Sequence, residues 1–331
     1  MNTNVKHLFV LNPKSFWHKW KQDAVLSHVH DFFETEDAKN CTVYFSRFPR
    51  DAAGFISRFA REFPAGTTLR VYAIGGDGIL FDCLNGIMGL PNAELAALPY
   101  GHTNNFVWGF GKENIPLFRN IFLQCTSPAI PMDVIRFGSS YVLNFCTIGL
   151  ESLAILNAGQ LRKDMQKGDK SAQWMCRRLY NAIYYAGFIP ACFNKKVLGQ
   201  YYEIDIDGED LSGRYRSILI ANASYYGGNK HPAASAMPND GMMDIILARS
   251  GSPMRAISMI PFYILGGHDK IPGDFIMKRG RKIYVSSREP ALVNYDGTAF
   301  YDGNFTAELM PAALQFVDAS GQGYKGALAD G

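Results

Sequence analysis

Long hydrophobic runs are missing from this sequence. No stretch reaches the ~18 consecutive apolar residues of a membrane-spanning helix. AISMIPFYILGG, Ala256 to Gly267, is apolar but short and contains Pro261, so it reads as a buried or interfacial helix. The N-terminal MNTNVKHLFVLNP runs straight into a turn, without the length or small-residue cleavage site of a signal peptide. Cysteine is sparse. The six residues Cys41, Cys83, Cys125, Cys146, Cys176 and Cys192 form no C-x-x-C pair. Free, reduced, buried thiols of a cytoplasmic protein are the expectation. Zinc spacing is lacking too: His28 and His30 lie two apart, and such positions do not share a helix face. A surplus of one charge sign is also absent. With 33 basic and 30 acidic residues the net charge of +3 is too small to argue for nucleic acid. Finally, no G-x-x-x-x-G-K-[ST] occurs, which excludes the P-loop.

What remains is ordinary globular material. The 331 residues are 47% hydrophobic and 19% charged, enough for two domains. The first part alternates strand and helix signals. HLFVL (His7–Leu11), CTVYFS (Cys41–Ser46), LRVYAI (Leu69–Ile74) and ELAALP (Glu94–Pro99) read as strands. Phe16 to Glu36 and Asp51 to Phe63 carry helical spacing, with Phe55, Phe59 and Phe63 on one stripe. Such units imply a parallel sheet covered on both faces. Near Pro128 the pattern changes to a hairpin through Gly138-Ser139-Ser140, then a basic helical stretch from Leu153 to about Ile189. Strand-like runs follow, with a turn at Asp207-Gly208. TAELMPAALQFVD reads as two short strands around Pro311. The polar, glycine-rich segment 321–331 is expected to fray.

In a parallel sheet, ligands bind at the carboxyl ends of strands. Three loops belong there: Asn12-Pro13-Lys14-Ser15-Phe16, Gly75-Gly76-Asp77-Gly78, and LPYGHTNNF from Leu98 to Phe106. Consecutive glycines let backbone N–H groups approach an anion, and the following helix adds its positive end. An aspartate among phosphates repels them unless it binds Mg²⁺ or takes a proton from an attacking hydroxyl. Taken alone, G-G-D-G is also compatible with a plain strand-to-helix turn.

A series of segments, in order, resembles the diacylglycerol kinase catalytic domain family, which includes bacterial diacylglycerol kinases and sphingosine kinases. LNPKS stands where the family has N-P-x-S-G. YAIGGDG with Asp82 and Asn85-Gly86 stands for G-G-D-G-T-x-x-E-x-x-N-G, and LPYGHTNNF for P-x-G-T-x-N-D-F. MDVIRF through GLES, and ILIANASYYGGNKHPAASAMPNDGMMDIIL, match second-domain segments. NYDGTAF lies at the family's D-G-E. The resemblance runs from about Phe9 to Val317. It implies an α/β fold in which a parallel-sheet nucleotide-binding domain of the NAD kinase/diacylglycerol kinase type, 1–128, is followed by a β-rich, sandwich-like lipid-substrate domain, 129–303. Residues 304–320 would pack back on the first domain. The implied reaction moves the ATP γ-phosphoryl group to a lipid hydroxyl with Mg²⁺. Diacylglycerol is the first choice of acceptor and sphingosine or another lipid alcohol the alternative. Asp77 and Asp296 would be catalytic. Asn12, Ser15, Gly75, Gly76, Gly78, Gly101, His102 and Asn104 would bind nucleotide. Asp240, with the carbonyls of Met237 and Met242, would hold a structural Mg²⁺, although Asp240-Gly241 also reads as an ordinary turn.

The departures bear on activity. Phe16 and Ile79 replace a Gly and a Thr, Asp82 replaces a Glu, and Asn105 replaces an Asp. Thr298 replaces the Glu of D-G-E, the proposed base in bacterial members. Threonine cannot be a base near neutral pH, so Asp77 or Asp296 would take the role, with Asp302 as a fallback. A degenerate relative that binds nucleotide or lipid without turnover is the competing reading. An NAD-kinase-type enzyme also carries G-G-D-G, but YYGGNK and PNDGMMD argue against it. The stretch Leu161 to Pro190, with Arg177 and Arg178 beside Trp174 and Tyr180, fits either transient docking at the inner membrane surface or a solvated helix face. No nucleic acid partner is expected. Pairing with a second copy of the chain is open.

Overall fold

The computed structural model describes residues 4–13, 19–34, 38–101, 103–227, 230–271, 273–296 and 298–328. Ser15 and His102 lie outside them. The first half comprises β1 (Val5–Leu11), α1 (Lys19–Glu34), β2 (Cys41–Phe45), α2 (Asp51–Phe59), β3 (Thr68–Gly75), α3 (Asp77–Ile87) and β4 (Ala93–Pro99). The short helices α4 (Asn105–Trp108), α5 (Ile115–Phe118) and α6 (Ile121–Thr126) follow. β2, β1, β3 and β4 are parallel neighbours in that order.

Alternation along the strands builds both faces. Leu8, Val10, Val71 and Ala73 pack with Ala52 and Ile56 of α2 and Leu80 and Leu84 of α3. Phe9, Leu11, Tyr72 and Ile74 pack with Val25, Val29 and Phe33 of α1 and Ile121 of α6. The expected phenylalanine stripe is present: Phe55 stacks on Tyr44 with ring centroids 3.7 Å apart, and Phe59 lies against Phe63.

The second half comprises β5 (Ala129–Phe137), β6 (Ser140–Val142), β7 (Phe145–Gly149), α7 (Leu150–Lys167), α8 (Lys170–Arg178), α9 (Tyr180–Cys192) and α10 (Lys195–Leu198). Then come β8 (Tyr201–Ile206), β9 (Glu209–Asp210), β10 (Gly213–Ala221), β11 (Met243–Arg249), α11 (Pro253–Ile264), β12 (Phe275–Gly280), β13 (Lys282–Tyr295) and β14 (Thr298–Val317). These strands pair antiparallel around the order β12-β11-β10-β7-β13-β14. β14 also pairs antiparallel with β5 and, at Gln315 and Phe316, parallel with β4. One hydrogen-bonded network therefore runs through both halves.

Two expectations change, and one strand, β12, was not among the runs read from the sequence. TAELMPAALQFVD is the end of one long strand, not two short ones. Its register breaks between Met310 and Leu314, where Ala312 takes φ 52 and donates its N–H to Asp133 Oδ1 at 2.8 Å. β12 lacked a strand signal because FIMKRG is an edge strand with charge at its end, as edges require. Residues 321–328 do not fray as their composition suggests, and 329–331 lie outside the described residues. Tyr324 is 5% exposed, packs on Phe106 and Phe110, and its hydroxyl accepts from Ser224 N at 3.3 Å. The N–H groups of Lys325 and Gly326 donate to the Gly109 carbonyl. A Cβ on Gly109 would lie 2.0 Å from the Tyr324 ring, so only glycine admits this docking. One buried aromatic outweighs the polar composition around it. Among the described residues, no helix is long and apolar enough to cross a membrane.

Tyr324→Ala is expected to lower unfolding free energy by about 3–5 kcal/mol, the cost of deleting a buried aromatic. Tyr324→Phe should cost about 1 kcal/mol, the net worth of one hydrogen bond. Urea denaturation of both variants measures this ordering.

Candidate active site

A cleft of about 580 Å³ opens where the two halves meet. From the first half, Asn12, Asp77, Gly78, Thr103 and Asn105 line it; Asn144, Asn294, Asp296 and Thr298 line it from the second. The loops after β1, β3 and β4 all reach it. Local backbone chemistry explains the β3–α3 turn. Gly75 has φ 152, and Gly76 is the extended N-cap of α3. Asp77 thus sits in the first helical turn, where the macrodipole favours negative charge. The N–H groups of Tyr100 and Gly101 both donate to the Gly75 carbonyl, at 3.0 and 2.8 Å. A Cβ on Gly101 would approach Gly76 Cα to 2.2 Å, so the two loops touch backbone to backbone. A Cβ on Gly78 would meet nothing within 4 Å, which leaves room for a ligand.

Asp77 Oδ2 accepts from Thr103 Oγ1 at 2.6 Å and Asn105 Nδ2 at 3.0 Å. Its Oδ1 is buried with no hydrogen-bond partner. Burial raises the carboxyl above its ordinary range, while Thr103 and nearby backbone N–H groups pull it down. Asp296 sits at the β13–β14 turn with φ 40. Its Oδ2 accepts from Leu143 N at 3.0 Å, and its Oδ1 is likewise buried without a partner. Burial pushes Asp296 up to about 7; the N–H of Leu143 opposes this and the charge of Asp77 adds to it. The two carboxylates therefore feel one another across the cleft.

Around them, Arg50 donates from Nη2 to Thr298 Oγ1 and from its backbone N–H to Asp82 Oδ2 at 3.0 Å. At the deep end, Tyr184 and Tyr226 line the wall and share a hydroxyl–hydroxyl hydrogen bond. Glu151 behind them accepts from Tyr184 and Tyr263, and burial pushes it up to about 8.

The structure thus brings Asn12, Asp77, Gly78 and Asp296 together. Gly75, Gly76, Gly101 and Asn104 shape the loops behind and do not line the cleft: the Asn104 side chain closes its own loop on Gly101 N and O. Asp302 is elsewhere on β14, capping Gly303 N and Asn304 N, so the fallback base fails on register. Asp240 is also remote. Its carboxylate is ion-paired with Arg279 and accepts from Met242 N at 3.0 Å. The 237–242 segment carries its own stitching, with Asp133 N donating to Pro238 O and Gly241 N donating to Asp133 Oδ2 at 2.7 Å. The expected Mg²⁺ ligand Asp240 is thus paired with Arg279, outside the cleft that holds Asp77. A hard cation fits better at the unpartnered Oδ1 of Asp77. Arg50, Asn294 and Tyr184 were not anticipated. Asn294 stands in the NYDGTAF segment but was not singled out, Arg50 and Tyr184 belong to no motif, and Arg50 enters through a φ of 72 that no sequence pattern announces.

Two family models match the chain. The diacylglycerol kinase catalytic domain matches residues 6–136, and the YegS C-terminal NAD kinase beta sandwich-like domain matches 168–318. The chain thus carries a match to each of these two domains, one in its first half and one in its second. It is 26% identical over 264 residues to a Shewanella frigidimarina protein named "Probable lipid kinase YegS-like", covering 78% of this chain and 80% of that one. A Staphylococcus haemolyticus protein, also named among lipid kinases, is 23% identical over 300 residues, covering 86% and 87%. Two solved structures from Bacillus anthracis share the fold. One is described as a diacylglycerol kinase, with TM-score 0.65 and 18% identity. The other aligns with TM-score 0.69 and 20% identity. Both alignments cover 96% of this chain and 98% of the other. This lipid kinase family has an α/β first domain and a β-rich second domain, with ATP the donor its kinase name implies.

The buried carboxyl of Asp296 makes stability depend on pH. An unfolded aspartate titrates at its ordinary 3.8. Between that value and about 7 the folded protein keeps a proton that the unfolded chain has lost. Stability therefore falls as pH rises through this window and levels off above it. Glu151 contributes with the same sign. In protein free of divalent cations, Asp296→Asn is expected to reduce the slope and raise stability around pH 8 by about 1–3 kcal/mol. Urea titrations across the window decide this: an unchanged slope would mean that Asp296 titrates normally.

Proposed function

We propose that the protein transfers the γ-phosphoryl group of ATP to the hydroxyl of a lipid alcohol, with diacylglycerol the acceptor. The observation that carries this reading is the pair of buried, unpartnered oxygens, Asp77 Oδ1 and Asp296 Oδ1, in one interdomain cleft beside a glycine turn and a helix N-terminus. The backbone of the β3–α3 turn would hold phosphate oxygens. Asp77 would hold Mg²⁺, which when bound neutralises charge on the phosphates. Thr103 and Asn105 fix the Asp77 carboxylate in place. Asp296, pushed up to about 7, is matched to take the acceptor proton near neutral pH. The acceptor oxygen then bonds to the γ-phosphorus as the bond to ADP breaks.

Labelled ATP, Mg²⁺ and diacylglycerol, sphingosine or other lipid alcohols in mixed micelles test the reading. Asp77→Asn should cut transfer by about 10²–10⁴-fold. Nucleotide binding without transfer to any lipid would instead support the reading in which Thr298 marks a protein without turnover.

The acceptor lives in a membrane, and one face of the second half suits contact with it. On α8 and α9, Trp174, Met175, Leu179 and Ile189 are exposed, and the Arg178 guanidinium lies 5.5 Å from the Trp174 ring. Met254 and Leu265 at the two ends of α11, which packs on α9, are exposed as well. Apolar residues beside cations are what interfacial docking uses. Trp174→Ser with Ile189→Ser should weaken sedimentation with anionic vesicles by about tenfold. Undiminished sedimentation would reject this face as the docking surface.

A further inference from the structure

Arg50 precedes α2 with φ 72 and ψ −1, the left-handed region that side chains other than glycine rarely adopt. Three contacts hold it there. Its N–H bonds to Asp82 Oδ2, with Nη1 3.9 Å from Asp82 Oδ1. Its Cζ lies 4.0 Å from the centroid of the Phe81 ring. Its Nη2 donates to Thr298 Oγ1. Strain held by surrounding contacts at a cleft points to function. The guanidinium lines the same cleft as Asp77 and Asp296, and Thr298 lies two residues beyond Asp296. Among the described lining residues the cations are Arg47, Arg50 and Arg162. Of these, Arg50 has a hydrogen bond to the residue at the position where the family's glutamate is expected.

We propose that Arg50 is a catalytic residue that hydrogen-bonds the phosphoryl group in flight. This rests on the kinase reading above. A carboxylate at position 298 would form a forked ion pair with the guanidinium and neutralise it. Threonine accepts one hydrogen bond and adds no second carboxylate to the guanidinium, which already has Asp82 at 3.9 Å. As the bond from γ-phosphorus to ADP lengthens, charge spreads over the equatorial oxygens. One of these replaces Thr298 as the partner of Nη2, while Asp82 and Phe81 keep the plane oriented. Arg50 makes no covalent bond and takes no part in the proton transfer; it acts on the developing charge alone. The threonine and the arginine together move this site from base chemistry toward electrostatic stabilisation.

Arg50→Gly separates catalysis from folding, because glycine adopts φ 72 without strain. The expected result is a melting temperature within a few degrees of wild type and a kcat lower by about 10²-fold or more. KM for ATP should change less than about threefold. Added guanidinium ion should restore part of kcat, and Arg50→Lys should be intermediate. A second readout needs no lipid: affinity for ADP with aluminium fluoride, a mimic of the phosphoryl group in flight, should fall while affinity for ADP alone does not. A folded Arg50→Gly with kcat and fluoride-complex affinity within about threefold of wild type overturns the proposal. A loss confined to KM for the lipid also overturns it, making Arg50 an acceptor-binding residue. If wild type binds the fluoride complex but phosphorylates no lipid, the kinase reading fails and the fluoride measurement still decides Arg50. If wild type binds no nucleotide, both fail.

Discussion

Strand β14 pairs in turn with β13, β5 and β4, and the cleft exists because of that run. Its first residue, Thr298, lies in the cleft; its last turns, at Gln315 and Phe316, extend the parallel sheet of the first half. At Gln315 and Phe316 the strand holds antiparallel β5 on one edge and parallel β4 on the other, and it kinks just before them at a residue of positive φ. The bend is at Ala312, where the register slips and Asp133 takes the displaced N–H. The other carboxylate oxygen of Asp133 takes Gly241 N, so one buried aspartate ties the bend to the 237–242 loop. The turn bearing Asp296 is thereby carried to the edge of the sheet where β3 delivers Asp77. The meeting of the two carboxylates is a property of sheet topology, set by pairing far from the cleft.

That meeting costs stability. Two carboxyl groups held near one another in a buried site are each raised by desolvation, and Asp296 is raised further by its neighbour. Each has one oxygen served by hydrogen-bond donors and one with none. A core built for stability alone would satisfy or replace these atoms. Their retention in a cleft wide enough for a ligand is the pattern expected of groups whose partners arrive with substrate. The same logic covers Arg50, whose strained backbone and neutral acceptor leave a cation available.

How much of this was legible depends on the range of the interaction. The strands β1 to β4 and the loops that follow them were readable because alternation, glycine turns and helical spacing are local signals. The motif that contains Asp77 lies within a single turn, and its chemistry could be anticipated. Contacts made across long separations could not. The pairing of Asp240 with Arg279 spans 39 residues and was read as a metal site. Tyr324 anchors a segment whose composition reads as loose. Asp302 is four residues from Thr298, yet it caps its own turn in the strand and does not line the cleft that holds Asp77. Asn104 was read as a ligand because it stands in a motif, whereas its neighbours Thr103 and Asn105 hold Asp77. Motif membership identified the loop correctly; which side chain faces the cleft depended on the left-handed turn at Asn104 itself, φ 50.

The contact between Arg50 and Thr298 shows why substitution at one motif position is a poor measure of lost activity. Replacing a glutamate by threonine, considered alone, removes a base. Considered with a guanidinium 248 positions away in the chain, it also removes a second anion from beside that cation, leaving Asp82 as the nearby carboxylate. Phosphoryl transfer passes through a loose transition state in which positioning and charge stabilisation dominate. The loss of a base can then be offset by a cation facing the developing charge, provided another carboxyl takes the proton. Asp296 lies two residues from the substituted position and is raised by burial into the range where it can do so. In the proposed reaction, base, cation and hydroxyl form one coupled arrangement in this cleft, and altering any one changes what the other two can do.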